Sequence, residues 1–313
     1  MSKVAFVFPG QGSQQVGMGR ELMAGHAAAR AVFERADDAL GEPLSRLILE
    51  GPESELRLTA NTQPAILTVS IAYYEVLAAA GLKADLVAGH SLGEYSALVA
   101  SGALRFEDAV RAVRARGAFM QEAVPPGVGA MAAVTRLAPE KVREVCEVCE
   151  QAAQGEVCAP ANFNSPEQTV IAGHAAAVER AGELLKAAGA RRVLPLPVSA
   201  PFHCSLMAPV QPRLREVLEG FSFQAPRVPV ITNVEAAPNS DPGRIVELLV
   251  AQVTAPVRWV ETVQRMVELG VSRVIEVGPG KVLSGLVRQT DKSIEAVACD
   301  DPEGLEKLLG TGG

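Results

Sequence analysis

The sequence predicts an α/β protein with a mainly parallel, doubly wound sheet and a smaller unit of different rhythm set into it. Three observations carry this. Short apolar runs alternate with longer helical stretches near both ends of the chain, the pattern of strands joined by crossover helices. Between them the order changes to β-α-β-β-α-β. Aromatic residues are only 4% of the 313, so the core must be mostly Ala, Val and Leu. Ala-rich helices packed on Val/Ile/Leu strands meet that requirement.

The elements follow in order. Val4–Phe8 is a buried strand closed by Pro9-Gly10. Residues 20–40 and 64–80 read as helices; Pro64 sits near the start of the second, where proline is tolerated, and Gly81 follows its end. Asp85–Gly89 is a second strand, and Glu94–Ala100 opens a helix. Residues 105–121 are helical, with Phe106, Val110, Val113, Gly117 and Met120 on one face. Gly129–Val134, Val157–Phe163, Thr169–Ala172 and Arg192–Val198 are strand-like, with helices at Pro139–Ala153 and Ala175–Ala188. That order is the ferredoxin-like unit. Residues 127–199 therefore form an inserted subdomain, and 1–126 with 200–313 form the larger, discontinuous domain. Val274–Val277 is a third core strand, followed by Gly278-Pro279-Gly280 and a helix.

Composition narrows the function. Hydrophobic residues are 48%, charged residues 21%, and the net charge is −7. An acidic chain has no global preference for nucleic acid. No segment approaches the roughly 20 apolar residues that span a bilayer. The apolar run at Val4–Phe8 is too short for the core of a signal peptide, so a cytoplasmic location is expected. Five irregularly spaced cysteines, Cys146, Cys149, Cys158, Cys204 and Cys299, read as free thiols. Cys146-x-x-Cys149 lacks the further ligands that a zinc site needs, and no metal is expected.

The strongest local signal is Gly89-His90-Ser91-Leu92-Gly93, a G-x-S-x-G pattern between a strand and a helix. That is the setting of a nucleophile elbow. The alternative is a Gly-Ser turn capping a helix. A serine nucleophile needs a base, and the chain has four histidines, His26, His90, His174 and His203. His26 and His174 read as surface residues, and His90, adjacent to the serine, as a lining residue. Elimination favours His203, in the loop Ser199–Cys204 that re-enters the large domain. No carboxylate is singled out as a third member. Gly10-Gln11-Gly12 fails the dinucleotide pattern at Gln15, and Gly278–Lys281 fails the phosphate-loop pattern at Val282. The first of these loops is either an anion-binding nest or a structural turn. On the 105–121 helix, Arg111 points away from the apolar face, and periodicity does not choose between Arg114 and Arg116.

Taken together, Phe8–Gln14, Gly89–Glu94, Arg116-Gly117 with Met120-Gln121, Asn162–Pro166, Ser199–Cys204, Gln252 with Pro256–Trp259, and Glu276–Gly280 resemble the malonyl-CoA:acyl carrier protein transacylases. The resemblance runs in order from residue 4 to about 290. It implies an α/β-hydrolase-like large domain with the ferredoxin-like insertion. It implies Ser91 as nucleophile, His203 as base, backbone N–H groups of Gln11 and Leu92 as the oxyanion hole, and Arg116 as partner of the malonyl carboxylate. It implies further that a backbone carbonyl at Gln252 takes the place of an orienting carboxylate and that His90, Met120 and Asn162 line the pocket. The implied partners are malonyl-CoA and an acyl carrier protein, joined by a malonyl-serine intermediate in a ping-pong cycle. Coenzyme A thioester is then substrate and carrier phosphopantetheine the acceptor, with no cofactor, and a monomer is expected. Carrier docking is expected at a local basic patch, with Arg191, Arg192 and Arg288 as candidates flanking the cleft. The competing readings are a serine hydrolase, with water as acceptor, and a non-catalytic carrier-binding module.

Overall fold

The computed structural model describes residues 3–152, 155–198 and 200–310. Ala153, expected to end a helix, and Ser199, at the edge of the inserted unit, lie outside the described residues. In chain order the strands are β1 (Lys3–Phe8), β2 (Leu86–Gly89), β3 (Gly129–Thr135), β4 (Cys158–Ser165), β5 (Gln168–His174), β6 (Arg192–Pro195), β7 (Val230–Ile231), β8 (Pro238–Asn239), β9 (Val271–Val277) and β10 (Glu295–Cys299).

They form two sheets. The larger has the order β10-β9-β1-β2-β7-β8, parallel throughout except for the antiparallel edge pair β7–β8. The smaller has the order β4-β5-β3-β6 and is antiparallel at every pairing. Helices Pro139–Ala152 and Ala175–Ala187 complete its β-α-β-β-α-β sequence.

Alternation along the strands explains why the large sheet is covered on both faces. Phe6, Phe8 and Val87 point into one apolar cluster with Ile66, Leu67 and Phe33. Ala5, Val7, Leu86 and Ala88 point into another with Trp259, Val263 and Leu283. The small sheet has its own core, in which Val134 and Ile171 meet Val142, Cys146 and Leu185 of its helices. The sheets are joined where Val257 pairs with β4, donating to the Ala161 carbonyl and accepting from the Phe163 N–H, both at 2.9 Å. This stitch brings the small sheet alongside the loops that leave the large one. All five cysteines are free and buried.

Several elements differ from expectation, among them the Arg192–Val198 strand, which ends at Pro195. The 20–40 helix is two helices, Arg20–Gly25 and Ala27–Leu40, because His26 is extended between them. The second helix begins at Thr59, placing Pro64 inside its second turn. There the missing N–H removes one early hydrogen bond while the turns before it stay anchored by Thr62, whose Oγ1 donates to the Leu56 carbonyl. The last core strand starts at Val271.

The Thr59–Ala79 and Phe106–Glu122 helices cross at Gly117. A Cβ there would lie 2.5 Å from the Thr59 carbonyl oxygen and 2.8 Å from the Ala60 Cα. Gly117→Ala should therefore destabilise the fold by about 1–3 kcal/mol, the usual effect of overpacking, despite alanine's higher helix propensity. Urea unfolding measures it, and an unchanged or raised midpoint would show that the helices can separate freely.

Candidate active site

Both sequence-selected reactive residues sit on strained backbone at the C-terminal edge of the large sheet. Ser91 follows β2 with φ 53°, and His203 has φ 59°. Left-handed conformations are unfavourable for non-glycine residues and persist where the surroundings enforce them. For Ser91 the enforcement is visible. A Cβ on Gly89 would lie 1.9 Å from the Gly93 carbonyl carbon, so the turn closes only because residue 89 is glycine. Asn233 then clasps it: the Ser91 N–H donates to Asn233 Oδ1 at 2.7 Å, and Asn233 Nδ2 donates to the Gly89 carbonyl at 2.6 Å.

The Ser91 hydroxyl lies between an imidazole and a guanidinium. His203 Nε2 is 2.8 Å from Oγ. Its other ring nitrogen, Nδ1, lies 3.0 Å from the Gln252 carbonyl and 3.1 Å from that of Ala255. Two carbonyls fix the proton on Nδ1, leaving Nε2 bare to accept from the serine. Burial, and secondly the nearby Arg116 charge, push the imidazole down from 6.5 to about 3, against the pull of the two carbonyls. It is therefore neutral near pH 7.

Arg116 approaches from the other side. Its Nη2 donates to Ser91 Oγ at 3.0 Å and to Gln252 Oε1 at 2.9 Å, and its Nη1 donates to Gln63 Oε1 at 2.8 Å. The guanidinium carbon is 5.8 Å from the Tyr95 ring centre. The residue is 1% exposed, and each of these hydrogen-bond partners is neutral. The neighbours are spoken for elsewhere: Arg114 pairs with Glu42 and Asn61, and Arg111 with Asp108 and the Ala39 carbonyl. Of the arginines that periodicity left open, Arg116 is the one in the cleft.

The surrounding cleft has a volume of about 360 Å³. Gln11, Leu92, Arg116 and His203 line it from the large sheet, and Met131 and Asn162 from the small one. The backbone N–H groups of Gln11 and Leu92 have no acceptor among the described residues. Met120 lines the wall, its sulfur 3.8 Å from Gln63 Nε2. His90 also faces the cleft, but its Nε2 is 2.9 Å from Asn164 Oδ1 and not directed at Ser91. His174 accepts from the Val157 N–H at 2.9 Å. The Cys204 thiol, beside the histidine, is pushed up to about 11 by burial and is no rival nucleophile at neutral pH.

The three docking candidates stand away from this geometry. Arg191 and Arg192 are exposed, but they stand at the start of β6, while the cleft-lining Leu196 lies beyond its other end, about 13 Å away at strand rise. Arg288 does not flank the mouth. It sits in the last turn of helix Val282–Thr290 and donates to the Ala296 carbonyl of β10 at 2.7 Å. A helix that leaves the sheet's C-terminal edge runs back toward the opposite one.

Several site residues were not singled out from sequence. Asn233 follows a two-residue strand with no periodic signal. Gln63 was hidden by starting its helix at Pro64. Glu94 ends the elbow motif as an ordinary first-turn acid, yet it is 2% exposed and its Oε2 accepts from the Asn233 N–H at 3.0 Å and Gln252 Nε2 at 2.7 Å. Burial pushes its carboxyl up to about 7 despite these donors and the Arg116 charge.

Comparison with known proteins gives a uniform result. The family described as the acyl transferase domain matches residues 5–305. The malonyl CoA-acyl carrier protein transacylase of Bacillus subtilis (strain 168) is 49% identical over 311 residues, covering 99% of this chain and 98% of its own. That of Escherichia coli (strain K12) is 49% identical over 310 residues, covering 99% of each. A malonyl-transacylase solved in complex with its type II PKS acyl-carrier protein superposes with a TM-score of 0.96 at 46% identity, covering 99% of this chain and 100% of that one. The acyl carrier protein S-malonyltransferase of Vibrio cholerae gives 0.94 at 48%, covering 98% and 100%.

The depressed histidine sets a pH dependence. In the unfolded chain His203 binds its proton near 6.5, but in the folded chain only near about 3. The unfolded state thus holds more protons between these values, and stability falls as pH falls through 6.5. From there to about pH 5 the single group accounts for about 2 kcal/mol. Urea titrations should show His203→Asn losing less stability than the parent over that interval, and parallel losses would mean that His203 is not held neutral.

Proposed function

This chain belongs to the malonyl CoA-acyl carrier protein transacylases, within the acyl transferase domain family, and from that footing we propose that it moves a malonyl group from coenzyme A to the phosphopantetheine thiol of an acyl carrier protein through a malonyl ester on Ser91. One observation carries the proposal: a buried guanidinium and a neutral imidazole both reach the same serine oxygen, at 3.0 and 2.8 Å. The imidazole supplies the base that an acyl transfer needs. The guanidinium supplies what a plain esterase has no use for, a partner for a carboxylate on the acyl group.

The chemistry proceeds in two halves. His203 Nε2 takes the Ser91 proton as Oγ attacks the thioester carbonyl. The resulting oxyanion is received by the Gln11 and Leu92 N–H groups. Collapse expels the coenzyme A sulfur, which takes the proton from His203. In the second half the carrier thiol gives its proton to His203, its sulfur attacks the malonyl ester, and Ser91 Oγ recovers the proton as it leaves. No redox step or metal is called for. On loading, Arg116 Nη2 exchanges Ser91 Oγ for the malonyl carboxylate, while Gln63 and Gln252 keep the guanidinium in place.

The remaining expectations fit this reading. Residues 1–126 and 200–313 act as an α/β-hydrolase-like domain, and 127–199 as a ferredoxin-like one that walls the cleft, supported by the two sheets and the β-α-β-β-α-β order. A monomer working in the cytoplasm is in keeping with them, and no described helix is long and apolar enough to cross a membrane. Arg191 and Arg192 remain the exposed basic pair proposed to meet an acidic carrier.

Intact mass after incubation with malonyl-CoA tests the intermediate. Wild-type protein should gain one malonyl group, and Ser91→Ala none; a full shift in that variant would sink the assignment. Arg116→Ala should lose roughly 10- to 150-fold in malonyl loading, the equivalent of about 1.5–3 kcal/mol for a charge-assisted hydrogen bond. Acetyl loading should be retained or raised. Equal loss for both acyl groups would make Arg116 a structural residue instead.

A further inference from the structure

We propose that the side-chain amide of Gln252, oriented by the Glu94 carboxyl, is a positioning residue that aims Arg116 and thereby sets the preference for acyl groups ending in a carboxylate. The inference rests on the transfer reading above. It goes beyond the Gln252 main-chain carbonyl that faces His203.

The argument is one of donors and acceptors. A guanidinium only donates, and a main-chain carbonyl such as that of Ser91 only accepts. Gln252 lies between one of each. Its Oε1 accepts from Arg116 Nη2 at 2.9 Å, and its Nε2 donates to Glu94 Oε2 at 2.7 Å and to the Ser91 carbonyl at 3.1 Å. An amide with such neighbours has a single orientation. Turned over, it would set its NH₂ against the guanidinium and its oxygen against the Ser91 carbonyl and the Glu94 oxygen that the Asn233 N–H already engages. Gln252 is fully buried, Glu94 is 2% exposed and Arg116 1%, so water is not at hand to relieve either mismatch.

The two ends of this chain of contacts are themselves fixed. Glu94 Oε2 accepts from the Asn233 N–H at 3.0 Å, and Asn233 is the residue that clasps the Ser91 turn. Arg116 Nη1 is held by Gln63 at 2.8 Å. Nη2 is left between Gln252 Oε1 and Ser91 Oγ. The guanidinium edge is thus trained on the nucleophile before any acyl group arrives. The same residue holds His203 through its main-chain carbonyl, at 3.0 Å from Nδ1. Because different atoms serve the two partners, a side-chain substitution separates them.

Gln252→Met keeps the chain length and the carbonyl and removes the amide. Loading from malonyl-CoA and from acetyl-CoA is followed by intact mass under single turnover, with malonyl-CoA kcat and KM measured separately. Sulfonylation by phenylmethylsulfonyl fluoride, which is uncharged, reports the Ser91–His203 pair alone. The variant should raise the malonyl-CoA KM about tenfold or more and lower the malonyl-to-acetyl preference by the same factor, while sulfonylation changes by less than about threefold. Glu94→Gln, which retains an oxygen for both donors, should keep the preference, and Glu94→Leu should lose it. The proposal is overturned if all three probes fall together, if the malonyl-CoA KM does not move, or if Glu94→Leu keeps the parental preference. Wild-type protein that is sulfonylated yet takes no malonyl would refute the transfer reading itself, and this inference with it, before any variant is compared.

Discussion

At the elbow, backbone approaches backbone more closely than any side chain would permit. A Cβ on Gly93 would fall 2.1 Å from the Phe8 carbonyl oxygen, so the helix that follows the serine starts in contact with the end of β1. The Gly10–Gln14 loop leaves from that same strand end. One contact therefore sets Ser91 and the Gln11 amide in a fixed relation, with neither depending on a long side chain for its place. The parallel pairing of β1 with β2, in register from Ala5↔Leu86 to Phe8↔Gly89, delivers both ends to the same edge. Hydrogen bonds then lock what sterics permits, since the Asn233 clasp spans the turn from Gly89 to Ser91.

The other reactive groups arrive from distant stretches of chain, and neutral amides hold them. Gln63, Gln252, Asn164 and Asn233 each join a functional residue to a different element. Amides suit this place because they donate and accept without adding charge beside a buried guanidinium. A carboxylate within reach of Arg116 would satisfy it permanently and leave nothing for a ligand. Glu94 is kept one amide away.

Much of this was legible in the sequence, for reasons that differ residue by residue. The strands of the large sheet announce themselves because both faces are buried, making Val4–Phe8 and Val274–Val277 continuous apolar runs. The elbow is legible because steric closeness demands glycine at fixed spacing around Ser91. His203 emerges by elimination from a short histidine inventory. Arg116 does not emerge from periodicity, since Arg114 lies on the opposite flank of the same apolar face; only the tertiary pairing of Arg114 with Glu42 and Asn61 separates them. Asn233, Gln63 and the Gln252 side chain act through contacts more than fifty residues away, which leave no local pattern. Arg288 shows the converse: its helix begins at the active edge, but it stands in the last turn and bonds the Ala296 carbonyl, a placement no sequence pattern announces.

The Arg116 guanidinium has left water with no carboxylate in direct contact among the described residues. Folding has therefore already met the desolvation penalty that a surface arginine would face on each binding event. An anion entering the cleft sheds its own hydration but need not strip the cation. The same fact makes the empty protein less stable than its contacts alone would allow, by an amount that a matching carboxylate returns. Through thermodynamic linkage, the ligand's affinity and the fold's stability draw on one buried charge, so selectivity for a carboxylated acyl group is written partly into the free energy of folding.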